Sequence, residues 1–220
     1  MSIEPVAFFK SPLKGKFGLP RQSGLAPSLR GEVVLLPPYD AAEAVRGLED
    51  FDYCWLIWGF SLAEGDRNSL TVRPPRLGGN ERVGVFASRS PFRPNGLGLS
   101  CVKIEGLQAG KIIVSGADLA DWTPVYDIKP YISYADSHPD ARCGFVDSTE
   151  WKPLHVEIPS GVAGLLGPTL AAALSELLAQ DPRPRYQNDA GRVYGLTIGT
   201  FDVKFKVSDD TVFVLSAEKY

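Results

Sequence analysis

The sequence predicts a mainly β fold, a barrel or sandwich, with a small α+β domain at its C-terminal end. Three observations predict it. Short apolar runs rich in β-branched and aromatic residues recur through the first part of the chain, separated by Gly, Pro and polar turns. Strand–helix alternation is missing there, and no Gly-x-Gly-x-x-Gly follows a strand, which argues against a doubly wound fold. Composition then changes near Pro159, just ahead of the one convincing helix.

Taken in order, residues 5–9 (PVAFF) read as the first strand and 31–36 (GEVVLL) as the second, ended by Pro37 and Pro38. The segment between them, 10–30, is long for a structureless connection, and such loops are often functional. Asp40 is placed to cap a short helix over 41–48, with Glu43 at the capping-box position. The run 51–60 (FDYCWLIWGF) has the β propensity and length of a central strand. Further strands are expected at 97–104, 111–116, 125–131 and 154–158. Past 159, residues 168–178 (PTLAAALSELL) read as a helix with Pro168 in its first turn. Residues 193–200, 201–207 and 211–216 read as a small sheet. The expected domains are therefore 1–159 and 160–220.

Composition narrows the function. At 44% hydrophobic and 22% charged, the chain has the make-up of a soluble globular protein. No run is expected to supply the roughly 20 apolar residues of a membrane span, and the N-terminus carries no secretory signal. Cys54, Cys101 and Cys143 are too few and scattered for a disulfide framework or a zinc site. Cys54 and Cys101 lie in apolar runs and read as buried thiols. His138 and His155 have no ligand spacing. The chain is therefore expected to be cytoplasmic and metal-free. A pI near 5.5 argues against bulk electrostatic binding of nucleic acid, so any RNA contact needs a local basic patch.

Residues 71–98 supply one. They hold Arg73, Arg76, Arg82, Arg89 and Arg93 against the single acid Glu81, a charge of +4 in a chain whose net charge is −3. A cationic island in an acidic protein points to an anion site. Within it, Arg89-Ser-Pro-Phe-Arg-Pro-Asn-Gly96 places two guanidiniums on a loop stiffened by Pro91 and Pro94. Solvated loop arginines are the plain alternative.

Five blocks then carry a resemblance. They are Gly18-Leu-Pro-Arg-Gln-Ser-Gly24, Thr71-Val-Arg-Pro-Pro-Arg-Leu-Gly-Gly-Asn80, Val83-Gly-Val-Phe-Ala-Ser-Arg-Ser-Pro-Phe-Arg-Pro-Asn95, Thr123-Pro-Val-Tyr-Asp-Ile-Lys-Pro-Tyr131 and Asp181-Pro-Arg-Pro-Arg-Tyr186. In identity and order they resemble the TsaA-like family, over most of the chain. The resemblance implies a single-sheeted β-barrel methyltransferase of the class VIII type that uses S-adenosylmethionine. It also implies a homodimer, and a substrate of N6-threonylcarbamoyladenosine next to the tRNA anticodon, methylated on N6. The family's cofactor positions map here to Pro20, Arg21 and Gln22, to Arg89 and Leu99, and to Asp118, Leu119, Ala120 and Asp121. Where the family pattern has His-Gln after the aromatic strand, this chain has Ser61 and Leu62, whose cofactor contacts are then expected from the backbone. Where the pattern has Gly before Thr-Pro, this chain has Trp122.

The chemistry suits these residue types. Arg21 or Arg89 can clamp the cofactor's carboxylate. Asp118 or Asp121 can accept from its ammonium or ribose, although Asp serves turns equally well. The acceptor N6 is delocalised by its carbamoyl group, so Asp121 or Asp127 is a candidate general base; for Asp127 an ion pair with Lys129 is the competing reading. Arg73, Arg76, Arg93, Lys129, Arg183, Arg185 and Tyr186 are the candidate RNA contacts, with Arg183 to Tyr186 alternatively a stiff linker. Two other functions remain open from sequence. One is a non-catalytic barrel for a nucleotide-like ligand; the other is a methyltransferase for another RNA or a small molecule.

Overall fold

Six strands close on themselves because their apolar residues alternate, giving each strand one face for a shared interior. The computed structural model describes residues 3–63, 65–74, 81–148, 152–183, 189 and 191–220. In chain order the first eight strands are β1 (Ala7–Lys10), β2 (Arg30–Leu35), β3 (Tyr53–Gly59), β4 (Thr71–Val72), β5 (Val83–Gly84), β6 (Leu97–Gln108), β7 (Lys111–Ser115) and β8 (Thr123–Pro130). The barrel runs β1-β2-β7-β6-β3-β8 and returns to β1, and every neighbouring pair is antiparallel. In β3, Cys54, Leu56 and Trp58 point inward while Trp55 and Ile57 point out. Phe9, Val33, Leu56, Val102, Ile112, Val114, Leu119 and Val125 fill the interior. Burial pushes the Cys54 thiol up to about 12, and Cys101, expected to be buried, is half-buried on β6. Strands β4 and β5 form a separate two-stranded ribbon within the arginine-rich stretch.

The expected helix over 41–48 is replaced by two 3-10 turns, Ala42–Val45 and Leu48–Asp50, and neither has a side-chain cap. Gly47 separates them at φ 85, so the segment turns instead of propagating a helix. Past the barrel, α1 (Ser133–Asp136) is a single turn.

The C-terminal unit comprises β9 (His155–Glu157), α2 (Ser160–Ala179), β10 (Tyr194–Ile198), β11 (Phe201–Ser208) and β12 (Thr211–Lys219). Its sheet order is β10-β11-β12-β9, with β9 parallel to β12. The strand expected at 154–158 is β9, and it belongs to this second sheet, so the unit begins before residue 160. The helix expected over 168–178 is the second part of α2. Gly167, at φ 75, breaks the helix, and Pro168 follows the break. Contrary to the expectation for apolar runs, Ser160–Ala179 is long and apolar enough to cross a membrane by length and composition, with mean hydropathy 1.6. Here Leu166, Ala173, Leu174, Leu177 and Leu178 are buried in the core shared with β10, β11 and β12.

The loop after β1 belongs to both units. Leu13, Ala26 and Leu29 are buried among Leu174, Leu178, Val203 and Phe205. Burial of a leucine side chain contributes about 1.5–3 kcal/mol. Phe17 stacks on Phe205 with ring centroids 6.4 Å apart. Gly18 lies at φ 86 so close to β10 that a Cβ there would fall 2.3 Å from Leu196 Cδ1. Ser28 donates from its N–H and its hydroxyl to the Glu176 carboxylate of α2, at 2.8 and 2.7 Å. The C-terminal unit therefore holds the long loop in place.

Candidate functional site

The site forms along the seam where β8 meets β1. The long loop leaves β1, and residues 118–121 lead into β8, so pairing of these strands lays one segment against the other. Phe9 sits opposite Thr123 in the ladder. Trp122 donates its N–H to the Phe9 carbonyl at 2.7 Å, and Asp121 donates to the Leu13 carbonyl at 2.9 Å. The Asp121 side chain accepts from the Ser11 N–H at 3.0 Å. Farther along, Gly24 donates to the Gly116 carbonyl at 2.8 Å.

Three loops meet on this frame. Arg89, from the proline-stiffened loop, donates from Nη1 to Gln22 Oε1. Asp118 accepts from the Ser100 hydroxyl, and Ser100 accepts in turn from Trp58 Nε1 at 2.9 Å. Burial pushes the Asp118 carboxyl above its ordinary value. Hydrogen bonds from Ser100, its own backbone and Ser23, together with the charge of Arg89, oppose that shift. A half-buried carboxylate held by neutral donors beside one guanidinium suits a ligand that brings a cation. The Arg89 guanidinium suits a ligand carboxylate. Both groups of an amino-acid moiety are thereby matched, which is the chemistry that S-adenosylmethionine presents.

The other expected positions fall as follows. Pro20 is buried, and Arg21 donates from Nη2 to the Asp181 carbonyl at 3.0 Å, bridging to the C-terminal unit. Ser61 Oγ lies 3.4 Å from Thr123 Oγ1, at the head of β8, and Leu62 is exposed beside it. Leu119 and Ala120 are buried, so their backbone is what they can offer a ligand. Leu99 points out of the barrel, on the opposite face of β6 from Ser100, and is 56% exposed.

Asp127 is not brought to this cluster. It lies four residues along β8 from Thr123, about 13 Å at strand rise. Its carboxylate pairs with Lys129 Nζ at 2.9 Å and accepts from the Ile128 N–H. Each of the pair neutralises the other, so the ion-pair reading describes both Asp127 and Lys129. Arg183 is likewise engaged. It donates from Nε and Nη2 to the two Asp181 carboxylate oxygens, at 2.8 and 3.0 Å, and its side chain is only 12% exposed. Arg93 donates to the Ser88 carbonyl at 3.0 Å and shapes its own loop. Arg73 is exposed next to β4. Arg76, Arg185 and Tyr186 lie outside the described residues.

Sequence reasoning missed Ser11, Ser23, Trp58 and Ser100. The signal for Ser100 was present in strand parity. In Leu97-Gly-Leu-Ser-Cys-Val102 the serine shares the inward face with Val102, and a hydroxyl buried there needs a polar partner.

These features define a class: a closed antiparallel barrel with a candidate ligand site of paired opposite charges built from loops at one seam, braced by a C-terminal sheet and helix. Comparison with known proteins narrows it. Residues 8–137 match the tRNA-methyltransferase O N-terminal domain, and residues 163–220 match the TrmO C-terminal domain. The chain belongs to the TrmO family. It is 45% identical over 209 residues to a putative S-adenosylmethionine-dependent methyltransferase, RcsF, of Pseudomonas aeruginosa, covering 92% of this chain and 90% of that protein. It is 40% identical over 228 aligned positions to the tRNA (adenine(37)-N6)-methyltransferase of Escherichia coli, covering 98% and 97%. Its fold superposes on a crystal structure of TrmO from P. aeruginosa with a TM-score of 0.82 and 37% identity, over 100% of this chain and 97% of the other.

Proposed function

We propose that this protein is an S-adenosylmethionine-dependent tRNA methyltransferase acting on N6 of adenosine 37. The substrate form we propose is N6-threonylcarbamoyladenosine, and the working enzyme a cytoplasmic homodimer. The observation that carries this reading is the meeting of Gln22, Arg89 and Asp118 at the barrel seam, with Arg89 and Asp118 matching opposite charges of one amino-acid moiety. S-adenosylmethionine supplies an activated methyl group on a sulfonium. Arg89 binds its carboxylate, and Asp118 accepts from its ammonium. Ser100 and Trp58 hold Asp118 in place. Asp121, fixed by the Ser11 N–H just ahead of β8, is the carboxylate that takes a proton from the acceptor N6 in this reading. Positioning dominates the remaining barrier, because methyl transfer needs in-line geometry.

The test is methyl transfer from labelled S-adenosylmethionine to purified tRNA with and without the threonylcarbamoyl group. Transfer to the modified tRNA alone supports the full reading. Transfer to both overturns the choice of substrate form. Cofactor binding without transfer to either overturns the enzyme reading.

A further inference from the structure

Trp122 stands at φ 58, in the left-handed region where a bulky residue is a genuine outlier. Glycine would adopt that conformation without strain. The tryptophan is nevertheless firmly held. Its N–H donates to the Phe9 carbonyl, and the Thr123 N–H closes the turn onto the Ala120 carbonyl at 3.3 Å. The ring adds little to the interior: it is 60% exposed. Phe8 meets it at a tilt of 57°, with centroids 5.9 Å apart, and Lys10 Nζ lies 5.6 Å from its centroid. Both chain neighbours of Trp122 are tied into the seam, Asp121 through Ser11 and Thr123 through Ser61. A large, mostly exposed ring thus stands on a strained, hydrogen-bonded backbone next to Asp121, with the Lys10 ammonium over it.

We propose that Trp122 and Lys10 form a stacking site for an unpaired nucleotide of the RNA substrate. A base packs on the indole and a phosphate lies at the ammonium. Unpaired bases are recognised by aromatic stacking and phosphates by basic side chains, and the rigid backbone removes most of the ordering cost of presenting the ring. The inference rests on the reading of the protein as a tRNA methyltransferase. The site adds binding energy for RNA next to the methylated nucleotide and leaves the cofactor contacts alone.

The test uses the full chain with Trp122→Gly, Trp122→Phe and Lys10→Ala. It measures tRNA affinity across a salt series, S-adenosylmethionine affinity by calorimetry, thermal unfolding, and KM and kcat for tRNA. Trp122→Gly should weaken tRNA binding about 5- to 100-fold, raise KM more than it lowers kcat, and leave cofactor affinity and Tm no worse than wild type. Trp122→Phe should retain most of the affinity. Lys10→Ala should lower the magnitude of the slope of log K against log salt by roughly 0.7–0.9. Unchanged tRNA affinity in Trp122→Gly, with wild type active on tRNA, overturns this inference and leaves the proposed function intact. Loss of cofactor affinity assigns the ring to the cofactor's adenine and overturns it too. A fall in Tm alongside the loss of tRNA binding assigns it to packing. Wild type that transfers no methyl group to tRNA overturns the underlying function instead.

Discussion

The Glu176 carboxylate of α2 accepts both the backbone N–H and the hydroxyl of Ser28, 148 residues away in the sequence, at 2.8 and 2.7 Å. This contact pins the loop that carries Pro20, Arg21 and Gln22. Hydrogen bonds to a charged group contribute about 1.5–3 kcal/mol. Glu176→Ala should therefore destabilise the protein by about that amount in denaturant unfolding. It should also weaken S-adenosylmethionine binding, because Gln22 loses its frame. Full cofactor affinity in a destabilised Glu176→Ala would mean that the loop keeps its shape without the helix.

Arg89 and Arg82 lie seven residues apart and differ in what they hold. Arg82 donates to the Thr71 hydroxyl across the small ribbon, whereas Arg89 reaches Gln22 and acts on Asp118. Arg89→Ala should weaken cofactor binding by about 1.5–3 kcal/mol, the worth of hydrogen bonds to a charged group. Arg82→Ala should cost about 0–1 kcal/mol. Equal effects in calorimetric titration would remove Arg89 from the site.

Asp118 sets a pH dependence. Burial raises its carboxyl above the ordinary value. Its contribution to stability is therefore full below the unfolded carboxyl value of about 3.9 and is lost as pH rises through the higher folded value. Cofactor affinity moves the other way, because only the ionised carboxylate accepts from the ammonium. The affinity should thus rise with pH through a midpoint above that of an ordinary aspartate. In Asp118→Asn this titration should vanish and affinity should fall about 10- to 100-fold. A wild-type midpoint at or below the ordinary value would contradict the assignment.

Asp121 and Asp127 should separate cleanly. Asp127→Asn breaks an exposed pair with Lys129 and should cost about 0–1 kcal/mol of stability, with single-turnover methyl transfer near wild type. Asp121→Asn should slow the single-turnover rate about 100-fold or more if it is the base. A large rate loss in Asp127→Asn would move the base along β8.

Arg183 should behave as a structural residue. Its side chain is 12% exposed and bound by both oxygens of Asp181. Arg183→Ala should lower stability by about 1–3 kcal/mol and leave the salt slope of tRNA binding unaltered. A slope reduced by roughly 0.7–0.9 would instead make it a phosphate contact.

Strand parity made much of the barrel legible. Cys54, Leu56 and Trp58 alternate with Trp55 and Ile57 in the sequence as they do across the wall. The long loop was legible as functional, but its burial was not. Leu13, Phe17, Leu19, Ala26 and Leu29 follow no period, and their partners lie in the other unit. The helix expected over 41–48 failed because its capping pattern is local, while Gly47 and the turn into β3 decide the backbone there. Asp121 and Asp127 were both base candidates in the sequence, with an ion pair to Lys129 as the competing reading for Asp127; the β1–β8 register, Phe9 against Thr123, and the Lys129 contact separate them. The exposed Trp122 was visible as a departure, but its left-handed backbone was not.

The seam joining Ala7–Phe9 to Thr123–Val125 also has a kinetic consequence. It is the most distant pairing in the barrel's sequence, and pairings of large sequence separation form slowly. The bonds of Ser11 and Leu13 to Asp121 complete once that pairing is made. A refolding chain therefore acquires its cofactor site together with the closed barrel, and ligand added during refolding finds a receptor only on molecules that have finished. Because such a ligand binds the native chain alone, it shifts the folding equilibrium by mass action. Heating in rising concentrations of S-adenosylmethionine should accordingly raise the Tm of the whole barrel as one transition, with no separately melting loop.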